Sequence, residues 1–158
     1  MNNDQLIVKM VFDRWNALLE QFNKKFDALS DEQLEQEIAP GRNRAIYLLG
    51  HLIAVHDDMI VLLDFGNRLF PQINETFKSP DRSVAIIPAA GELRLMWSTM
   101  NEYLSAHFKT MQPADWFQRH TAVSEADFIK EPHRNKLNII ITRASHLAYH
   151  LGQIVLLK

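Results

Sequence analysis

The sequence predicts an all-α fold, a four-helix bundle with crossover connections, and three observations carry that expectation. Apolar residues recur at three- and four-residue steps through four long stretches of the 158-residue chain. No stretch alternates apolar and polar residues as a half-buried strand would. The six prolines fall between the periodic stretches, and glycines number only five.

The first predicted helix covers residues 3–28, with Leu6, Val11, Trp15, Leu18, Leu19, Phe22, Phe26 and Leu29 on one stripe. Ser30 and Gln33 match a capping box and start a short helix to about Glu37, which Pro40-Gly41 ends. A second long helix starts from an N-cap at Asn43 and reaches about Asp64, with Ile46, Leu49, Leu52, Ile53, Met59 and Ile60 among its apolar positions. Residues 66–87, with Pro71 and Pro80, read as a long, partly ordered connection, and a loop of that length often carries function or an ordered crossover. The third helix starts around Pro88 and runs through Leu93, Leu95, Trp97, Met100 and Leu104 to about Met111. Residues 112–117 read as a turn and short helix, and 119–133 as irregular. The fourth helix covers about 134–157, with Leu137, Ile140, Ile141, Ala144, Leu147, Ile154 and Val155 as apolar positions. Weakly similar halves, with Gly50-His51-Leu52 echoing Ser145-His146-Leu147, suggest that the second and fourth helices hold equivalent places, histidines inward.

A chain of this length suits a single domain, 1–158. A net charge of −2 and a pI near 6.4 argue against a nucleic-acid binder. The absence of cysteine excludes disulfides, thiolate metal ligands and a cysteine nucleophile. The first residues, Met1 to Gln5, lack a signal-peptide pattern, and no uninterrupted apolar run approaches the roughly 20 residues that span a bilayer. The expectation is a cytoplasmic protein with no membrane partner.

Chemistry concentrates on the fourth helix. His146 and His150 stand four residues apart, which stacks two imidazoles on one face, with Gln153 about two turns beyond His146 on the same side. Two histidines can share an ion, but a divalent site normally needs three or more protein ligands. His51, in the apolar middle of the second helix, is the natural third, because a histidine there must be satisfied by something. Three neutral imidazoles leave coordination positions open for water or substrate, with zinc the default and nickel, iron or manganese also compatible. Against this stands the blander alternative that an i, i+4 pair arises by chance and a lone buried histidine is a hydrogen-bonded core residue. His56 lies about 140° round the helix from His51 and is not expected to share its ion. His107 suits the negative end of the third helix, and His120 and His133 lie in the irregular stretch. Asp57 and Asp58 read as a polar face, and Trp15, Trp97 and Trp116 as core.

Gly41 to Leu52 (GRNRAIYLLGHL) resembles the second-helix signature of the DinB-like (YfiT-like) metalloenzyme superfamily. Ser145 to Gln153, a His-x-x-x-His followed by Gly-Gln, is similar to that superfamily's fourth-helix signature. The resemblance implies a four-helix bundle, often a homodimer, whose metal is held by His51, His146 and His150. Some relatives use the metal to activate a low-molecular-weight thiol for transfer or isomerisation. The chain departs at His56, where relatives often carry an acidic residue. The function expected is therefore a metal-dependent transferase or hydrolase acting on a small molecule, with zinc or nickel bound and no catalytic residue assigned. Gln153, Tyr47 or Asp58 would orient substrate or water. A non-catalytic dimeric helical protein, for ligand binding or stress response, is the alternative.

Overall fold

A computed structural model of the chain describes residues 1–81 and 86–157. Among them the regular structure is helical: α1 (Asn3–Asp27), α2 (Asp31–Leu34), α3 (Ala45–Leu62), α4 (Pro71–Thr76), α5 (Ala90–Phe108), a 3-10 turn (Pro113–Phe117), α6 (Glu125–Lys130) and α7 (Lys136–Ile154). The protein is all-α.

Local chemistry explains the starts. The Gln5 N–H donates to Asn2 Oδ1 at 2.9 Å, and the Asn2 N–H donates to Gln5 Oε1 at 2.9 Å, a reciprocal capping box for α1. Ser30 and Gln33 repeat that arrangement at α2. This helix stops at Leu34 rather than near Glu37, because Glu37 and Arg44 form an antiparallel bridge. Gly41, at φ 74°, makes the reversal between them. Asn43 is consequently not the N-cap of α3. Its carbonyl accepts from the Ile38 N–H at 3.0 Å, and Arg44 takes the cap position without a side-chain cap bond.

Helix α3 is the centre of the molecule. It packs against α4, α5 and α7, while α1 packs on α7. By length and composition α3 is apolar enough to cross a membrane, but 14 of its 18 residues are buried against protein. A helix apolar all round is either a core element or a membrane span, and here protein covers it.

At the end of α1, Arg94 of α5 donates to the Phe26 and Leu29 carbonyls, 2.7 Å each, and supplies the partners that terminal carbonyls lack. Trp97 Nε1 donates to Asn23 Oδ1 at 2.8 Å. Between these polar clasps α1 and α5 leave a cleft of about 490 Å³.

Several apolar positions counted toward the core face outward instead. Leu6 is 43% exposed, Leu95 69%, Ile141 45% and Val155 55%. Small residues explain part of this: Ala144, Ser145 and Ala148 leave a groove between α7 and α1, so Met10 and Ile141 line its sides rather than interlock. Trp15, Trp97 and Trp116 are buried as expected.

The connection after α3 is more ordered than its sequence suggests. Proline at its first turn starts α4, and residues 69–81 bond back to the α3 segment at Asp57, Ala54, Tyr47 and Arg44. Residues 82–85 of that connection, and Lys158, lie outside the described residues. The stretch 119–133 contains α6, started by Ser124, whose Oγ accepts from the Asp127 N–H at 3.1 Å.

Candidate metal centre

His51 projects from the middle of α3, and His146 and His150 from successive turns of α7. The packing of α3 on α7 brings the three together, with one ligand atom from each within 4.8 Å of the others. His146 Nε2 lies 3.3 Å from His51 Nε2 and 2.9 Å from His150 Nε2. His150 is 6% exposed, and the other two are half-buried.

The outward nitrogens decide what the inward ones carry. His51 Nδ1 lies 2.9 Å from the Phe77 carbonyl oxygen, an acceptor only, so Nδ1 holds the proton and Nε2 presents a lone pair. His150 Nδ1 lies 2.7 Å from Gln153 Oε1, which gives it the same tautomer. His146 Nε2 therefore faces two lone pairs. One proton on it satisfies one neighbour and leaves the other repelled. A second proton is disfavoured at neutral pH, because burial first, then the His150 and His51 charges, push His146 down to about 4. Burial likewise lowers His150. With its single proton on Nδ1 instead, His146 presents a third lone pair, and three convergent lone pairs fit a metal ion. Metal–nitrogen bonds of ~2.0–2.1 Å place adjacent nitrogens ~2.9 Å apart at a right angle and ~3.4 Å apart at a tetrahedral one, which brackets the two spacings that His146 makes.

Two features hold His51 in this orientation. Gly50 lies against the buried Phe77 ring, and a Cβ there would overlap it. The glycine thus lets the 77–79 segment come close enough for its carbonyl to reach His51. Tyr47, one turn earlier, directs its hydroxyl to the Phe77 carbonyl at 3.1 Å and also to the Ser79 carbonyl. That hydroxyl is thereby tied to backbone. Arg44 completes the lacing: its Nη2 and Nε, with its backbone N–H, all donate to the buried carboxylate of Asp81 at 2.8–3.3 Å. Burial raises the Asp81 carboxyl, but the Arg44 hydrogen bonds outweigh it and hold the group below its ordinary value.

Asp58 stands off the histidines. It accepts from Arg68 Nε and Nη2 at 3.0 and 2.6 Å and from Asn74 Nδ2 at 2.7 Å, so it anchors the connection. Asp57 is not on a polar face at all: it is fully buried and accepts the backbone N–H groups of Leu69 and Phe70 at 2.7 and 3.0 Å. His56 points away from the triad. It is buried between the rings of Trp15 and Trp97, with centroids 5.1 and 4.8 Å away, and its Nδ1 meets Asn101 Oδ1 at 3.3 Å. His107 bonds the Tyr103 carbonyl at 3.0 Å and packs on the Tyr103 ring. His120 is half-buried and His133 exposed, with neither in the triad.

Sequence reasoning did not find the Phe77 carbonyl, since a backbone acceptor leaves no residue-type signal. Nor did it single out Arg143, one turn before His146. That position was readable from the i, i+3 spacing alone.

The sequence model of the DinB superfamily matches residues 14–154, a span containing all three histidines and Gln153. The chain belongs to the DinB superfamily. A search of curated proteins found no match. In this DinB protein the histidine cluster is a group that can hold a metal ion, and such a cluster in a chain of this superfamily is compatible with a metal-dependent enzyme. Three surface clefts, of about 490, 380 and 300 Å³, lie elsewhere, and none is lined by these histidines.

Proposed function

We propose that this DinB protein is a metal-dependent transferase or hydrolase for a small molecule, with His51, His146 and His150 as ligands to zinc or nickel. The observation that carries the reading is the convergence of three imidazoles, with the tautomers of His51 and His150 set from outside by the Phe77 carbonyl and Gln153. A divalent ion there supplies Lewis acidity, lowering the pKa of a water or thiol that reaches it. The chain has no cysteine, so a thiol would come from a low-molecular-weight substrate. The protein's own part is to hold three neutral donors in one geometry and to keep a coordination position open. Tyr47 and Gln153 act in this reading by orienting ligands rather than by touching substrate, and Asp58 by anchoring the segment that carries Phe77.

The four long helices are proposed to form a four-helix bundle with crossover connections, in a cytoplasmic homodimer. The exposed Leu6, Ile7 and Met10 of α1 and Ile141 of α7 supply an apolar face for it. Neither nucleic acid nor membrane is a proposed partner.

The test is metal analysis of protein purified without a histidine tag. About one equivalent per chain is expected, with His146→Ala abolishing uptake. A metal-free wild type whose response to added Zn²⁺ and Ni²⁺ is unchanged by His146→Ala sinks the proposal. A second reading, a non-catalytic dimeric binding or stress-response protein, draws on the position of the clefts away from the histidines. Stoichiometric metal with no turnover across small thiols and electrophiles would favour it.

A further inference from the structure

Arg143 sits one turn before His146 on α7, half-buried. Its Nε is buried without a hydrogen-bond partner, and the guanidinium forms no ion pair among the described residues. Its charge nevertheless acts on His56, buried behind the centre, and on His146 within it. Asp58 is the carboxylate whose charge acts on Arg143. That carboxylate is already committed to Arg68 and Asn74, with Lys78 Nζ at 3.7 Å. Asp57 is turned onto the Leu69 and Phe70 backbone. Among the described residues the charges of Arg143, Arg68 and Lys78 all act on Asp58, and both it and the adjacent Asp57 are already in use. Three histidine ligands are neutral, so a divalent ion would keep its whole charge and add to the excess.

A guanidinium Nε–H withdrawn from water with no acceptor is unfavourable until one completes it. A planar, two-oxygen anion matches its fork best. We propose that Arg143 binds a carboxylate on the small molecule brought to the three-histidine centre. This rests on the metal reading above and narrows its substrate to an anionic one, with the anionic group held about one helical turn from the ligands. A water buried against Nε is the competing occupant, and the experiment separates the two.

The Nε–H resonance of Arg143, assigned by its loss in Arg143→Gln, is followed by heteronuclear NMR in the zinc-loaded full chain. Mercaptoacetate is titrated in, then 2-mercaptoethanol, which has the thiol but no carboxylate. The carboxylate is expected to move the resonance saturably and to bind about tenfold or more tightly than the neutral thiol, the scale of one charge-assisted hydrogen bond. Arg143→Gln should bind both alike while keeping its zinc stoichiometry, and Arg143→Lys should keep part of the preference. A resonance unmoved by mercaptoacetate, as a buried water would leave it, overturns the inference. So does a preference that survives in Arg143→Gln. If Arg143→Gln does not fold, the wild-type titration and Arg143→Lys decide. Failure of the wild type to hold zinc counts against the metal reading alone, because the same titration on metal-free protein still reports whether Arg143 takes the carboxylate.

Discussion

The arrangement at His51 depends on atoms that are not histidine. The Phe77 carbonyl sets its tautomer, and the missing side chain of Gly50 admits Phe77. Gly50→Ala should therefore act at two levels. Forcing a Cβ into a buried ring is expected to cost about 1–3 kcal/mol in a urea unfolding titration, as overpacking usually does. It should also weaken metal binding by turning His51, and undiminished Zn²⁺ affinity would show that Phe77 does not orient the ligand. Gln153→Ala removes the acceptor on His150 Nδ1, and loss of such an outer partner typically lowers metal affinity about 10–100-fold. Competition against a chelating dye measures this, and an affinity equal to wild type would make Gln153 incidental. The spacing of His146, His150 and Gln153 was legible in the sequence because one helix holds all three. The carbonyl on His51 was not, because it comes from a residue 26 positions away.

Among elements, the connection running through α4 to Asp81 matters most for the site. It is fastened to α3 at Asp57 and Asp58, through Asn74 to the Ala54 carbonyl, at Tyr47 and at Arg44. Asp81→Asn should release one end, leaving Arg44 with a neutral acceptor. A loss of about 1–3 kcal/mol is expected, the scale of a charge-assisted bond with a partly buried partner. Because Phe77 lies within the same strap, zinc affinity should fall too, though less than in His51→Ala. A destabilised variant with wild-type zinc affinity would separate the strap from the site. The sequence marked this stretch as a long connection with two prolines, which bounded its position but not its lacing. Its anchors, Asp57 and Asp58, read as solvated carboxylates because side-chain type does not say which backbone N–H groups lie opposite. The same gap explains Asn43, a plausible cap residue whose carbonyl was taken by a bridge instead.

At the scale of the whole molecule, burial makes the fold acid-sensitive. His56 is pushed down to about 3, by burial first and then by the Arg143 charge. The His146 and His51 charges add to this, and the Asn101 hydrogen bond opposes it. In the unfolded chain the same ring takes a proton at about 6.5. Unfolding of metal-free protein therefore takes up a proton between about 6.5 and about 3. Stability is fully present above that window and is lost as pH falls through it. His146 and His150 shift in the same direction. Unfolding midpoints should drop between pH 7 and pH 5, and His56→Gln should flatten the slope. A slope unchanged in that variant would remove His56 from the account. Assembly is read by sedimentation: a dimer mass at micromolar concentration is expected, and a monomer would leave the exposed α1 and α7 residues without the proposed role.

The all-α class, the order of the long helices and the pairing of His146 with His150 followed from the sequence by itself. Each of these is written in a period of three to four residues, within reach of local sterics and hydrogen bonding. Only the tertiary structure decided that His51 meets them while His56 turns into a tryptophan sandwich, and that Arg143 Nε is buried without a hydrogen-bond partner among the described residues. Those outcomes depend on the rotation of α3 against α7 and on carbonyls delivered by a distant strap. Both are set by packing across the whole core, which no local pattern encodes.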